Sequence, residues 1–320
     1  MEMRRNHWVM LLLVVGCAVL SACNTQPIIP EQDKLLPPRI SAPTEWPDYE
    51  TLVARYNANV EKISNLRAGV DFQIKYVDDE GNKKTEDGGG KFFFISPDNM
   101  TLVLSKAGIE IFWAGTNAEK YWLFDLHNDH LFWGYNRYAG LPKTFELQNI
   151  PIQPDEVTHL LGLRKIPVLT DDAPEPAIQK VNGYAVITLP RQYVKVPVET
   201  GPVVGEIAVL KGGWRYYLDP ETGLPAGIDF LDAELRTPVI TSRISNPKTF
   251  SSSRVAPVMR PKLPGQAEMY FHETEAYLRL YLLDYSDRKP PSVLFDFDKQ
   301  LQKKKPKETF QLDIEYTRDQ

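Results

Sequence analysis

Two short clusters that contain histidine are the residues best suited to hold a metal ion. His127-Asn128-Asp129-His130 brings two imidazoles and a carboxylate within four positions, and His272-Glu273-Thr274-Glu275 combines one imidazole with two carboxylates. The first cluster lies where a hairpin is expected to turn, and Asn-Asp is common at turns without any metal. The second lacks the second histidine of a zinc-protease helix. We therefore predict no metal site and no cofactor.

The other candidates for catalysis also have simpler structural explanations. Gly88-Gly89-Gly90 is followed by neither a Lys-Ser/Thr pair nor a helix pattern, so it predicts a bulge or a flexible turn rather than a phosphate loop. Asp296 and Asp298 share one side of a predicted strand, where a solvated face is the simplest explanation. No Gly-x-Ser-x-Gly motif marks a nucleophile. The sequence predicts that the protein is not an enzyme.

Composition and charge describe a globular chain that does not bind nucleic acid. The sequence has 320 residues, of which 42% are hydrophobic and 25% charged, and its formal net charge is −5. A polyanion-binding protein normally has the opposite sign of charge. The local basic run Lys303-Lys304-Lys305-Pro306-Lys307 is expected to be a solvated terminal segment, with contact to anionic lipid or cell-wall polymer as the alternative.

The amino terminus has the pattern of an export signal. Arg4 and Arg5 precede an apolar run over residues 8–20, which at about thirteen residues is shorter than the roughly 20 needed to cross a bilayer. Leu20-Ser21-Ala22-Cys23 resembles the lipobox of bacterial lipoproteins. That resemblance implies a signal peptide over residues 1–22, diacylglycerol and a further acyl chain on Cys23, and attachment to the membrane. An ordinary signal cleaved beside a cysteine is the alternative.

The residue after the acylated cysteine bears on the location of the protein. In the best-known sorting systems Asp at this position retains lipoproteins in the inner membrane, and here the position holds Asn24. We therefore expect a lipid anchor in the outer membrane, with the body facing the periplasm. Residues 23–47 are rich in proline and predict a semi-rigid tether that reaches on the order of 70 Å.

The rest of the chain predicts one mainly β domain over residues 48–300, followed by an irregular tail over residues 301–320. Asp48 can cap a helix that extends to Leu66, and a second short helix is expected over residues 154–161. A dozen or so strands are predicted, and the segment 70–76 alternates apolar and polar residues strictly. Strands are also predicted at 91–95, 100–106, 109–114, 120–126, 131–135, 184–189, 206–210, 214–219, 226–231, 239–244, 277–285 and 293–297.

Several of these strands are apolar on both faces. Trp122 and Phe124 share one face of their strand, while Tyr121 and Leu123 occupy the other. Lys91-Phe92-Phe93-Phe94-Ile95 behaves in the same way. Such a strand needs an apolar partner on each side. One side would pack on another layer, and the other would face a helix or an apolar cavity. A plain sheet with helices packed on it is the alternative to a cavity.

These segments, in this order, resemble the LolA/LolB-like lipoprotein-carrier superfamily. The resemblance rests on Val60-Glu61-Lys62-Ile63-Ser64-Asn65-Leu66, on Gly90-Lys91-Phe92-Phe93-Phe94-Ile95-Ser96-Pro97-Asp98, and on Tyr121-Trp122-Leu123-Phe124-Asp125. It implies a curved, incompletely closed antiparallel β-barrel with plugging helices and an apolar interior that accepts acyl chains. One strand face would lie under the helices, and the other would line the cavity. The residues then expected to line the cavity are Phe72, Phe92, Phe94, Trp113, Trp122, Phe124 and Trp133.

Two features depart from the family pattern. The soluble carriers have an arginine directly before the strand-ending proline, where it helps to latch the lid helices, and this chain has Ser96 before Pro97. The predicted mature chain, residues 23–320, is also longer than the usual carrier by roughly a hundred residues.

Two hypotheses for function follow. The first is a lipoprotein that binds lipid or acyl chains in an apolar barrel cavity, for transfer or storage. The second is a non-catalytic envelope scaffold that binds a protein partner through its outer surface, with the barrel filled by its own aromatic side chains.

Overall fold

The computed structural model describes most of the chain from residue 27 onwards. The described residues are 27–78, 80–126, 128–139, 154–167, 176, 178–189, 192–200, 203–234, 237–251, 256 and 260–313. The predicted signal peptide, the predicted lipidation site Cys23, Asn24 and the histidine at position 127 lie outside these residues.

Strands account for most of the described residues. In chain order they are β1 (Asn65–Val77), β2 (Lys83–Ile95), β3 (Asn99–Lys106), β4 (Ile109–Thr116), β5 (Lys120–Asp125), β6 (His130–Tyr135), β7 (Ile178–Val181), β8 (Tyr184–Thr188), β9 (Gln192–Thr200), β10 (Val203–Lys211), β11 (Gly213–Leu218), β12 (Pro225–Leu231), β13 (Pro238–Ser245), β14 (Lys248–Thr249), β15 (Lys262–Leu263), β16 (Gln266–Phe271), β17 (Ala276–Ser286) and β18 (Glu308–Gln311).

Within the described residues, fourteen of the strands form one large sheet. Its order is β18-β6-β5-β4-β3-β2-β1-β17-β16-β13-β12-β11-β8-β7, and every pairing is antiparallel except the parallel pair of β18 with β6. Register shifts interrupt the β1–β17, β3–β4, β11–β12 and β12–β13 pairs, and such shifts bend a sheet. The end strands β18 and β7 do not pair with each other. The predicted fold class, a mainly β chain with a curved and incompletely closed sheet, is confirmed.

Three α-helices accompany the sheet in the described part of the chain. They are α1 (Tyr49–Val60), α2 (Pro154–Leu160) and α3 (Phe297–Lys304). Asp48 caps α1 as expected, because its carboxylate accepts a hydrogen bond of 2.8 Å from the backbone N–H of Thr51. The helix ends earlier than predicted because Asn65 and Leu66 already pair with β2. None of the helices in the described ranges has the length and apolar character needed to cross a membrane.

The sheet has an inner face, which packs against α1 and α2, and an outer face on the opposite side. One continuous apolar core joins the inner face to both helices, and it includes Leu66, Val70, Leu102, Ile228 and Leu280, with at most 2% of each residue exposed. Because side chains alternate along a strand, neighbouring positions face outwards. Apolar side chains on the inner face therefore belong to this core, and apolar side chains on the outer face form separate clusters.

The end of the chain is ordered differently from the prediction. Residues 291–313, which we call the C-terminal strap, contain a 3-10 turn (Ser292–Phe295), α3 and β18, whereas a strand at 293–297 and an irregular tail were expected. Thr101 on the outer face donates a hydrogen bond of 2.9 Å to the carbonyl of Leu294. Leu294, Phe297 and Leu301 then cover apolar side chains of that face. The prediction failed because the conformation of this segment depends on packing against the outer face, which its local sequence does not indicate.

Part of the predicted tether also lies against the sheet. Leu35 is 3% exposed, its carbonyl accepts a hydrogen bond from the Arg243 guanidinium, and the N–H of Ile40 donates to the carbonyl of Asn182 at 2.9 Å. Leu36 and Ile40 pack beside Tyr217 on the outer face. Residues 35–40 are therefore not a free spacer, because the aliphatic side chains among the prolines bind the sheet.

The glycine run that was predicted to form a bulge or a flexible turn lies in the middle of β2. It pairs in regular register with β1, and from Gly89 onwards also with β3. A Cβ at Gly88 would collide with the Phe72 ring, and one at Gly90 would collide with the backbone of Val103. Glycine is needed here because the inner face is crowded, so the bulge prediction was wrong.

Candidate functional site

A short segment that crosses the inner face is the main candidate for a moving part. We call residues 156–166, which comprise most of α2 and the turns after it, the plug. The helix contacts β3, β4 and β5 on one side and β12 on the other, so it spans the two halves of the sheet. Its apolar side chains are at most 2% exposed. They are Val157, Leu160, Leu161, Leu163 and Ile166.

Helix α1 holds one end of the plug by side-chain hydrogen bonds. The Asn57 amide donates to the carbonyl of Ile166 and accepts from its N–H, both at 2.9 Å. The Tyr56 hydroxyl donates to the carbonyl of Arg164 at 2.7 Å. Side chains therefore satisfy backbone groups that would otherwise be buried without partners beyond the end of a short helix.

An arginine in the plug binds the turn between β2 and β3. The Arg164 guanidinium pairs with the Asp98 carboxylate and donates a hydrogen bond of 2.9 Å to the Thr158 hydroxyl. Asp98 directly follows Ser96-Pro97, just beyond the end of β2. The ion pair thus connects this turn to the plug, and the plug contributes the arginine. Sequence reasoning missed Arg164, because nothing in its neighbourhood marks it.

A histidine fastens the other side of the plug. The His159 ring stacks on Trp214 with centroids 4.3 Å apart, and its Nδ1 lies 3.4 Å from the Tyr216 hydroxyl. Burial of the ring, followed by the charges of Arg164 and Lys211, lowers the pKa of His159 well below its usual value. Burial likewise raises the pKa of the Tyr216 hydroxyl. Both groups are neutral at pH 7, as an apolar layer requires.

Three of the seven predicted cavity residues lie in this inner layer. Phe72, Phe92 and Phe94 are at most 3% exposed and belong to the core that includes the apolar side chains of α1 and of the plug. Their side chains face the helices that the resemblance placed over the sheet.

The other four predicted cavity residues lie on the outer face. The register pairs Trp113 with Phe124 and Trp122 with Trp133, so all four share one side of β4, β5 and β6. Phe297 of the strap covers them, with ring centroids 5.6 Å from Trp122 and 5.4 Å from Trp133. The seven residues therefore do not line one cavity. The sequence could not separate them, because its local patterns predict a strand at 293–297 and an irregular tail in place of the strap that covers the outer face.

The remaining candidates have structural partners. His130 Nε2 lies 3.5 Å from the Glu308 carboxylate, and His272 Nε2 lies 3.0 Å from the Thr241 hydroxyl. Asp296 caps α3 by accepting a hydrogen bond of 3.1 Å from the N–H of Lys299, so it does not lie on a strand. In the part of the chain that the structure describes, no three His, Cys, Asp or Glu side chains are grouped to hold a metal ion.

Comparison with known proteins finds similarity to solved structures but not to known sequence families. No family model matches the chain, and no curated protein matches it. A LolA superfamily protein from Nitrosomonas europaea is 12% identical, with 78% of this chain and 99% of that chain covered and a TM-score of 0.46. An outer membrane lipoprotein-sorting protein domain from Vibrio parahaemolyticus is 11% identical, with 78% and 97% covered and a TM-score of 0.43. A DUF1329 family protein from Desulfovibrio piger is 11% identical, with 76% and 96% covered and a TM-score of 0.40.

The first of these structures belongs to the superfamily that the sequence resembles.

Proposed function

We propose that this protein is a cell-envelope lipoprotein that binds lipid or acyl chains between the inner face of its sheet and the plug, for transfer or storage. The observation that supports the proposal most directly is the plug itself. It is a short apolar segment laid across an open sheet, held at its C-terminal end by side-chain hydrogen bonds and one ion pair and at Leu160 by a hydrogen bond from Ser242. A part built in this way can leave its place without unfolding the sheet beneath it.

The hydrophobic free energy from burying the plug is similar in size to that from burying a hydrocarbon chain. Each buried CH₂ contributes about 0.8 kcal/mol, so about twelve methylenes contribute roughly 10 kcal/mol when they are fully buried. Five buried apolar side chains in the plug contribute about 1.5–3 kcal/mol each, or roughly 7–15 kcal/mol together. The apolar burial lost when the plug leaves is therefore of the same order as the burial gained by a hydrocarbon chain, while the hydrogen bonds and the ion pair of the plug oppose the exchange.

The anchor completes the proposal. Lipid on Cys23 would hold the body at the outer membrane, facing the periplasm, and catalysis has no part in this function. Leu35 is docked on the sheet only twelve positions after Cys23, so the connection between the anchor and the body is short. The body would then stay close to the membrane surface, where acyl chains are available.

A photoreactive fatty acid tests the site directly. Purified protein is incubated with a diazirine-labelled fatty acid, irradiated and mapped by mass spectrometry, and native mass spectrometry records co-purified lipid. We expect saturable labelling of peptides that carry Phe92, Phe94 or Leu160. Labelling confined to the outer-face peptides around Trp122 and Phe297, or no saturable labelling, would contradict the proposal.

The envelope scaffold is the second candidate, and one observation favours it. Most of the buried apolar side chains of the inner face pack against α1 and the plug as one continuous core, as expected of a barrel filled by its own residues. A scaffold would bind its partner through the outer surface and would show no saturable fatty-acid labelling. The same experiment therefore separates the two candidates.

A further inference from the structure

A hairpin joins strands from opposite ends of the large sheet. Strands β6 and β8 each lie one place in from an end of the sheet order, and the β9–β10 hairpin is inserted between β8 and β11. Tyr138, in the 3-10 turn after β6, packs against Val196 of β9, and each is only 2% exposed. The sheet does not close through its own strands, and this contact bridges its two ends.

The position of the hairpin depends on this contact. Val194, Val196 and Val209 share the side that packs on Tyr135 and Tyr138. The opposite side is solvated: Tyr193 is 64% exposed, and Lys195 pairs with Glu206 at 3.4 Å in an exposed ion pair. Within the described residues the two strands form a sheet of their own. An isolated two-stranded hairpin is marginally stable, so docking on the two tyrosines must hold it.

The base of the hairpin adjoins the plug. Lys211 ends β10 and is close enough to His159 for its charge to lower the pKa of that residue. Trp214, three residues further on, stacks on the His159 ring. The hairpin therefore ends three residues before the tryptophan that stacks on His159, beside the residue that fastens the plug to the C-terminal half of the sheet.

We propose that the β9–β10 hairpin is the gate of the inner layer. Docked on Tyr138, it holds the two ends of the sheet together beside the plug. Release of this contact parts the ends and gives a hydrocarbon chain access to the inner face. This inference rests on the proposed function, because it concerns access to the same site. Segments that open in this way come from the less stable parts of a fold, and the hairpin is one of them.

Two glutamate substitutions on one strand test the gate. Val196→Glu puts a charge into the contact with Tyr138, whereas Tyr193→Glu puts the same charge on the solvated side of β9 and serves as the matched control. Stopped-flow mixing with a dansyl-labelled fatty acid measures uptake and release. Hydrogen exchange along β9, β10 and β1 reports whether the hairpin is undocked while the large sheet stays folded.

Loss of one buried valine contact shifts the docking equilibrium by about tenfold or more. We expect Val196→Glu to raise the rates of both uptake and release by about that factor, with faster exchange in β9 and β10 and unchanged exchange in β1. Tyr193→Glu should behave as wild type. Unchanged rates in Val196→Glu, with saturable binding intact in the wild type, would overturn the gate and leave the proposed function standing. A wild-type protein without saturable binding would overturn both.

Discussion

Trp122 lies over Gly115, its partner in the neighbouring strand. The register pairs the two residues, and a Cβ on Gly115 would collide with the indole ring. Trp122 is fully buried and meets Phe297 of the strap on its other side. Glycine on β4 therefore makes room for an indole between the sheet and the strap. Gly134 does the same for Tyr121 on the inner face.

Gly115→Ala should destabilise the protein by about 1–3 kcal/mol, because the added methyl group displaces the Trp122 ring from a packed site. Gly89→Ala is the control, since a Cβ there would meet its nearest atom, the Val70 carbonyl oxygen, at 3.5 Å. Urea unfolding measures both. Equal stability of the two variants would show that the indole does not need the space.

Arg164→Gln should loosen the plug. The substitution removes the ion pair with Asp98, and we expect a loss of about 1–3 kcal/mol in the free energy of unfolding. Lys165→Gln is the control, because the neighbouring lysine forms only an exposed pair with Glu61. Thermal unfolding and the uptake rate of the dansyl fatty acid serve as readouts. Uptake that is no faster in Arg164→Gln than in Lys165→Gln would speak against a latch.

Stability should fall in mild acid because of His159. Its pKa is lowered in the folded protein, so between that value and the ordinary value of 6.5 the unfolded chain binds more protons. The free energy of unfolding therefore decreases as the pH falls below about 6.5, by at most about 1.4 kcal/mol per pH unit from this residue. His159→Gln should flatten the dependence. Because burial also lowers the pKa of His272, a smaller slope of the same sign should remain.

This dependence can be measured by urea unfolding at several pH values between about 5 and 8. Identical slopes in the wild type and His159→Gln would mean that the histidine is not held neutral by the fold.

Phe297→Ala should expose the aromatic cluster on the outer face. The phenyl ring is 7% exposed and contacts both Trp122 and Trp133, so its loss should cost about 3–5 kcal/mol. Tryptophan emission should shift to longer wavelength as water reaches the indoles. Val293→Ala, at a position that is 44% exposed, is the control. A variant with wild-type stability and emission would show that the strap does not seal this face.

Local patterns in the sequence determined much of the fold. The alternation over residues 70–76 predicts a half-buried strand, and these residues lie within β1. Asp48 and the stripe of Leu52, Tyr56 and Val60 predict α1, since a cap and a four-residue spacing act within one helix. The apolar character of both faces of β5 correctly indicated that each face has an apolar cover.

Which segment covers which face was decided only by the tertiary structure. Leu35 lies in a proline-rich stretch and Leu294 and Phe297 in a segment predicted as a strand, yet their conformations depend on surfaces contributed by distant strands. For the same reason the candidate aromatics divide between the two faces, and Arg164 meets Asp98 across 66 positions of the chain. Local sequence sets the periodicity of an element, but the partner of each face is selected by long-range packing, which no local pattern records.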